Sequence, residues 1–97
     1  MELEFTGEII YWRGPSPYHY VPVPAEESAA IKAVASQVTY GWGVIPVLAR
    51  IDGTVWETSL FPRDGRYLVP VKAAVRRAEE LDLGDTVTVR LVLGAAR

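Results

Sequence analysis

The residues most able to do chemistry are adjacent hydroxyls at Thr58 and Ser59, followed by two cations one helical turn apart, Lys72 and Arg76. Hydroxyls, cations and the free N–H groups of a helix start make a donor set that can hold a small anion. The charge order of the second helix points the same way. Lys72, Arg76 and Arg77 come early and Glu79, Glu80 and Asp82 late, against the preference of a helix dipole. The plainer alternative is a set of solvated surface charges paired with neighbouring acids. A second cluster, Tyr11, Trp12, Tyr18 and His19 with Tyr20, straddles a Gly/Pro-rich turn at 14–17. Such rings can stack a planar ligand or base, or simply cover the open end of a small sheet structure with their polar tips wet.

Other chemistry is thinly supported. The chain has no cysteine and one histidine, which excludes thiol catalysis and thiolate metal sites and leaves no histidine pair for zinc. His19 or Glu57 as a general base would need both side chains in one pocket. Glycine-rich phosphate loops and the Gly-x-Ser-x-Gly elbow are absent. No catalytic residue, metal or cofactor is assigned.

Ninety-seven residues make one domain spanning 1–97, and 49% hydrophobic with 23% charged residues is an ordinary globular balance. The net charge of −2 is unlike that of a generic nucleic-acid or membrane-surface binder. Positive charge nevertheless concentrates at 63–77, where Arg63, Arg66, Lys72, Arg76 and Arg77 face only Asp64. Glu2, Glu4 and Glu8 stand where a secretory signal would be basic, and no apolar run approaches a membrane span, so a cytoplasmic protein is expected.

These residues must be positioned by strands. Leu3, Phe5, Ile9 and Tyr11 alternate with polar residues as one half-buried strand, and 18–23 reads as an edge strand because Pro22 cannot donate to a ladder. Pro24 with Glu26 and Glu27 opens a helix whose apolar stripe is Ile31, Val34, Ala35 and Val38. After a turn at 41–43, where Trp42 is expected exposed or folded back as a lid, 44–51, apolar except for Arg50, is too continuously apolar for a one-sided strand and reads as a central one covered on both faces. Strands at 54–61 and 66–69 follow across turns at 52–53 and 62–65. A second helix begins near Pro70 with Val71, Ala74, Val75, Ala78 and Leu81 on one face, and 87–93 closes the fold. The count is about six strands and two helices. Tyr20-Val21-Pro22-Val23-Pro24 plus helix also echoes Tyr67-Leu68-Val69-Pro70-Val71 plus helix, as an internal pseudo-two-fold would require.

The blocks Thr58-Ser59-Leu60-Phe61-Pro62, Gly65, Tyr67-Leu68-Val69-Pro70-Val71-Lys72, Val75-Arg76 and Gly84-Asp85-Thr86-Val87 carry a resemblance. With Phe5-Thr6-Gly7 and Val23-Pro24, the chain resembles the bacterial domain-of-unknown-function family 1905 over nearly its whole length. The resemblance implies a small closed β-barrel with helical caps and no assigned activity. More distantly, Val69-Pro70 plus helix plus 83–89 is similar to the swapped-hairpin DNA-binding barrels of bacterial transition-state regulators and antitoxins. That likeness concerns topology and does not carry DNA binding across.

The sequence therefore predicts a mainly β fold, a small closed barrel of about six strands with two capping helices. The leading function is a non-catalytic binding module for a small anionic or nucleotide-like ligand, or for an acidic segment of a protein partner, at Thr58, Ser59, Lys72 and Arg76. A nucleic-acid-binding barrel using 63–77 and a small enzyme with His19 or Glu57 as base are the alternatives. The alternation is compatible with a monomer or a weak homodimer.

Overall fold

The computed structural model describes residues 1–13, 18–38 and 45–93, with backbone alone for Tyr18 and for 36–38. The expected turn at 14–17 and the Trp42 segment lie outside the described residues. Period-two alternation produces β1 (Glu2–Glu8), β2 (Ile10–Trp12) and β3 (Tyr18–Pro22). Then come α1 (Ala25–Val38), β4 (Ile45–Ile51), β5 (Thr54–Arg63), β6 (Arg66–Pro70), α2 (Ala73–Ala78) and β7 (Thr86–Leu93).

The fold is mainly β with two short helices, but the sheet is a curled half-barrel and not a closed barrel. The described residues form seven strands rather than about six, in the order β1-β7-β4-β5-β6-β3-β2, all pairs antiparallel. The reason lies at Ile9. Residues 2–8 pair with β7, whereas Ile10 to Trp12 pair with β3 instead, so the expected first strand changes partner and becomes two. No ladder joins β1 to β2, which form the two edges of the sheet.

β5 turns the second corner. Its first part, Thr54 to Leu60, pairs with β4, and only Phe61, Pro62 and Arg63 pair with β6. The β5–β6 turn is tighter than the four residues expected. Asp64 (φ 52°) and Gly65 (φ 77°) both take left-handed backbone, as a two-residue type I′ hairpin requires.

The core fills the concave side. Phe5, Val47, Ala49, Leu60, Val89 and Leu91 are all buried and meet across the ladders. β4 lies inside the sheet but is not covered on both faces: Ile45, Val47, Ala49 and Ile51 are buried, while Pro46 and Leu48 are half-buried and Arg50 is exposed. Coverage of both faces belongs to β6, where Tyr67, Leu68, Val69 and Pro70 are all buried.

The internal echo has a physical form. Val21-Pro22-Val23 and Val69-Pro70-Val71 each lead into a helix, and β3 lies antiparallel to β6 with Val21 opposite Val69. Val23 N–H donates to Tyr67 O (2.8 Å) and Val71 N–H to His19 O (2.9 Å), two equivalent bonds about the Val21–Val69 pair. Behind β6, α1 inserts Ile31 into the core. Buried Ser28 donates to Val23 O (3.1 Å) and accepts from Tyr67 N–H (3.2 Å), so α1 is fastened by hydrogen bonds as well as packing.

α2 is shorter than the apolar face suggested. It runs six residues from an N-cap at Lys72, and only Val75 of that helix is buried while Ala74 and Ala78 are exposed. Arg76 and Arg77 therefore fall in its last turn, and Glu79, Glu80 and Asp82 lie beyond it. For Arg76 and Arg77 the charge order is not inverted, because cations at the C-terminal turn suit the dipole; Lys72 does stand at the N-terminal end, with no acid in the first turn. Thr54 Oγ1 donates to Glu79 and ties this end of α2 to β5.

Candidate functional site

The gap left where β5 and β6 part company shapes the candidate site. Their ladder stops at Phe61–Leu68, while Val69 and Pro70 go on pairing with β3 along the other edge of β6. From below, Trp56 bridges the gap by donating its indole N–H to Pro70 O (3.1 Å). Above it lies a depression of about 310 Å³ lined by Thr58, Ser59, Phe61, Pro70 and Lys72.

Three of the four anion-binding candidates thus meet in one depression. Thr58 and Ser59 arrive from β5 and Lys72 from the residue before α2. Neither hydroxyl has a hydrogen-bond partner, and Lys72 has neither a hydrogen bond nor an ion pair, among the described residues. Lys72 makes no side-chain cap for α2 either. Six residues are too few for the helix end to supply the anion site that the sequence suggested, so the side chains carry it.

Arg76 lines a different depression, of about 400 Å³, with Arg77, Glu80, Leu81 and Asp82. It is half-buried and, among the described residues, in no ion pair, with its Nε fully covered and without an acceptor there.

The aromatic cluster splits by strand parity. Tyr11 stands opposite His19 with ring centroids 5.4 Å apart, edge to face. Trp12 tilts against Tyr20 at 5.9 Å on the other face, and Tyr20 meets Phe61 edge-on at 6.4 Å. The Tyr18 side chain lies outside the described residues. Arg63 sits over the Trp12 ring at 4.3 Å, joining the β5–β6 hairpin to edge strand β2 by a cation–π contact. Burial, and secondarily the Arg76 cation, hold the His19 imidazole below its ordinary value of 6.5. Glu57 is exposed, next to buried Trp56 and so on the other face of β5; it shares no described depression with His19.

Phe61 and Pro70 were not singled out from the sequence, although Phe61 follows Ser59 at the same-face spacing of a strand. A third feature had no sequence signal. Arg50 and Arg90 stand directly opposite across β4 and β7, beside a depression of about 460 Å³ shared with Glu4, Asp52 and Thr88. Arg90 faces Glu4 at 3.7 Å and Arg50 donates to Asp52 O (2.7 Å), so this surface is balanced in charge. No group of three or more metal-ligating His, Cys, Asp or Glu residues exists among the described residues. None of the described helices is long and apolar enough to cross a membrane.

A curled half-barrel with two short helices and a largely apolar depression beside its second corner is the class these features define. The chain belongs to the family described as Domain of unknown function (DUF1905), whose match covers residues 5–91. No curated protein matches it.

Proposed function

We infer that the chain is a non-catalytic binding module that takes a small anionic ligand, or an acidic segment of a partner, at Thr58, Ser59 and Lys72. One observation carries this reading: Thr58, Ser59 and Lys72 line a single depression, and among the described residues none of their side chains has a hydrogen bond or ion pair. Phe61 and Pro70 give that depression an apolar wall, which suits an anion attached to a flat or apolar body, as in a nucleotide-like ligand. The donor set favours oxyanions, because hydroxyls and an ammonium all donate to oxygen.

The test is thermal unfolding followed by tryptophan fluorescence at low salt, with phosphate, sulfate, nucleotides and acidic peptides. At ten times its dissociation constant a ligand adds about 1.4 kcal/mol, or roughly 5–10 °C for a domain of this size. Lys72→Ala and Thr58→Val should abolish the shift without lowering the unliganded midpoint by more than a degree or two. An equal shift in parent and variants would overturn the reading.

The nucleic-acid alternative draws on residues that form two groups rather than one. Arg63 and Arg66 flank the β5–β6 turn, while Lys72 caps α2 and Arg76 and Arg77 belong to it, with β6 between the two groups. At about 3.3 Å per residue, β6 and its exit separate the groups by roughly 20 Å. Binding that collapses between low and physiological salt would favour this alternative over a one-site anion pocket.

A further inference from the structure

We propose that the ligand of this site is an acidic segment of another protein, bound in extended form as an added strand along β5 at Glu57 and Ser59, with its carboxylate on Lys72. This rests on the binding reading above and adds the kind of ligand and its conformation. The direction of the β5 main chain comes first. Arg63 and Arg66 close a two-residue hairpin and so exchange hydrogen bonds, as do Phe61 and Leu68 two residues further along each strand. Counting by two again would bring Ser59 opposite Pro70, which has no N–H to give. Pro70 O accepts from the Trp56 indole instead (3.1 Å). The ladder therefore ends, and the N–H and C=O groups of Ser59 and Glu57 point into the gap, away from β4. Among the described residues no other hydrogen bond reaches them.

The depression opens onto that same edge. Neighbouring residues of a strand point to opposite faces, yet Thr58 and Ser59 both line it, so it lies along the rim of β5 between the two faces. At about 310 Å³ it has room for a short length of chain. The free stretch is short as well, because Thr54 Oγ1 donates to Glu79 and holds α2 against the start of β5. An unpaired edge is a template for another strand: main-chain bonds supply affinity, and the side chains along the edge select the sequence. Here they select a single acid. Lys72 has no ion pair among the described residues and complements a carboxylate placed opposite Ser59. Exposed Glu57 disfavours a second acid two residues along, since like charges directly opposite on paired strands repel. Phe61 and Pro70 suit apolar flanks. A free inorganic anion uses Lys72 and leaves the Ser59 and Glu57 main chain unpaired, whereas an extended segment satisfies both.

The experiment measures dissociation constants by calorimetry for acetyl-Val-Thr-Glu-Thr-Val-amide, its central-Gln counterpart, and two N-methylated forms, one blocked at the odd amides and one at the even. Acetate and phosphate are the small-anion probes. The proteins are the parent, Lys72→Ala, Ser59→Ala and Ser59→Pro; the last removes the N–H that faces the gap and leaves the β4 ladder its bonds. In the expected result the Glu peptide binds, and the Gln peptide and Lys72→Ala each weaken binding about tenfold. One methylated form should bind about tenfold more weakly than the other, because only alternate amides of the segment face β5. Ser59→Pro should bind about tenfold more weakly than Ser59→Ala, and where Ser59→Pro unfolds the methylated pair decides. Equal binding of the two methylated forms overturns the added strand, as does a folded Ser59→Pro that binds as tightly as Ser59→Ala. So does binding of the small anions without the peptide; in each of these cases a loss in Lys72→Ala leaves the anion site standing. A parent that sediments as a dimer while Ser59→Pro is a monomer assigns the edge to a second copy of the chain and overturns the partner. No binding of peptide or small anion overturns both readings.

Discussion

Single side chains here do two kinds of work, fastening the sheet and leaving donors free. Ser28 is the clearest fastener, because its hydroxyl both donates and accepts in a buried position. Ser28→Ala strands the Tyr67 N–H, and the denaturant midpoint should fall by about 1–3 kcal/mol equivalent with an unchanged m-value. His19 reports on its surroundings through pH. Its folded value lies below the unfolded 6.5, so the unfolded chain binds the proton first as pH falls. The associated stability is complete above about 6.5 and is lost progressively as pH drops toward the folded value. His19→Gln should flatten that part of the stability profile, and Arg76→Gln should flatten it less, because burial is the larger cause. Identical profiles in parent and His19→Gln would show that the imidazole plays no part. Titration of the imidazole by NMR checks the same direction directly.

At the scale of elements, the two bent strands decide what is shut and what is open. Where β1 passes β3, Gly7 allows the approach: a Cβ there would lie 2.7 Å from Val21 Cγ1 and 3.2 Å from Pro22 O. Gly7→Ala should therefore destabilise the domain by about 1–3 kcal/mol, read from thermal or urea unfolding, by forcing this seam apart. The corresponding seam at β5 and β6, beyond their short ladder, is bridged by the Trp56 indole and leaves the candidate depression beside it. Much of this was legible from sequence. Alternation located most of the strands and Pro24 located α1; the repeated Val-Pro-Val marked an internal echo, whose form as a β3–β6 pair only the structure gives. Partner switching was not legible, because Glu8, Ile9 and Ile10 keep a strand-like pattern straight through the change. The length of α2 was missed for a related reason: Ala74 and Ala78 continue an apolar spacing but are exposed. Of the candidate site, Thr58, Ser59 and Lys72 could be chosen by residue type. Separating Arg76 from them required knowing where the strands diverge.

For the molecule as a whole, an open ladder gives an uneven distribution of stability. β4 and β7 are flanked by strands on both sides, whereas β2 is a three-residue edge. Amide exchange should be slowest in Val47 and Leu91 and fastest, among the strands, in Ile10 to Trp12. Uniform protection would contradict the edge assignment. The pairing of β1 with β7 carries a further implication. Thr6 and Thr88, whose hydroxyls meet at 3.3 Å, are 82 positions apart along the chain. A ribosome making this segment releases β1 long before β7 exists, so the earliest strand must wait, unpaired, for almost the latest. Contacts of such range slow folding. Nascent chains arrested before residue 86 should accordingly leave β1 open to protease, and release of the remaining strand should close it.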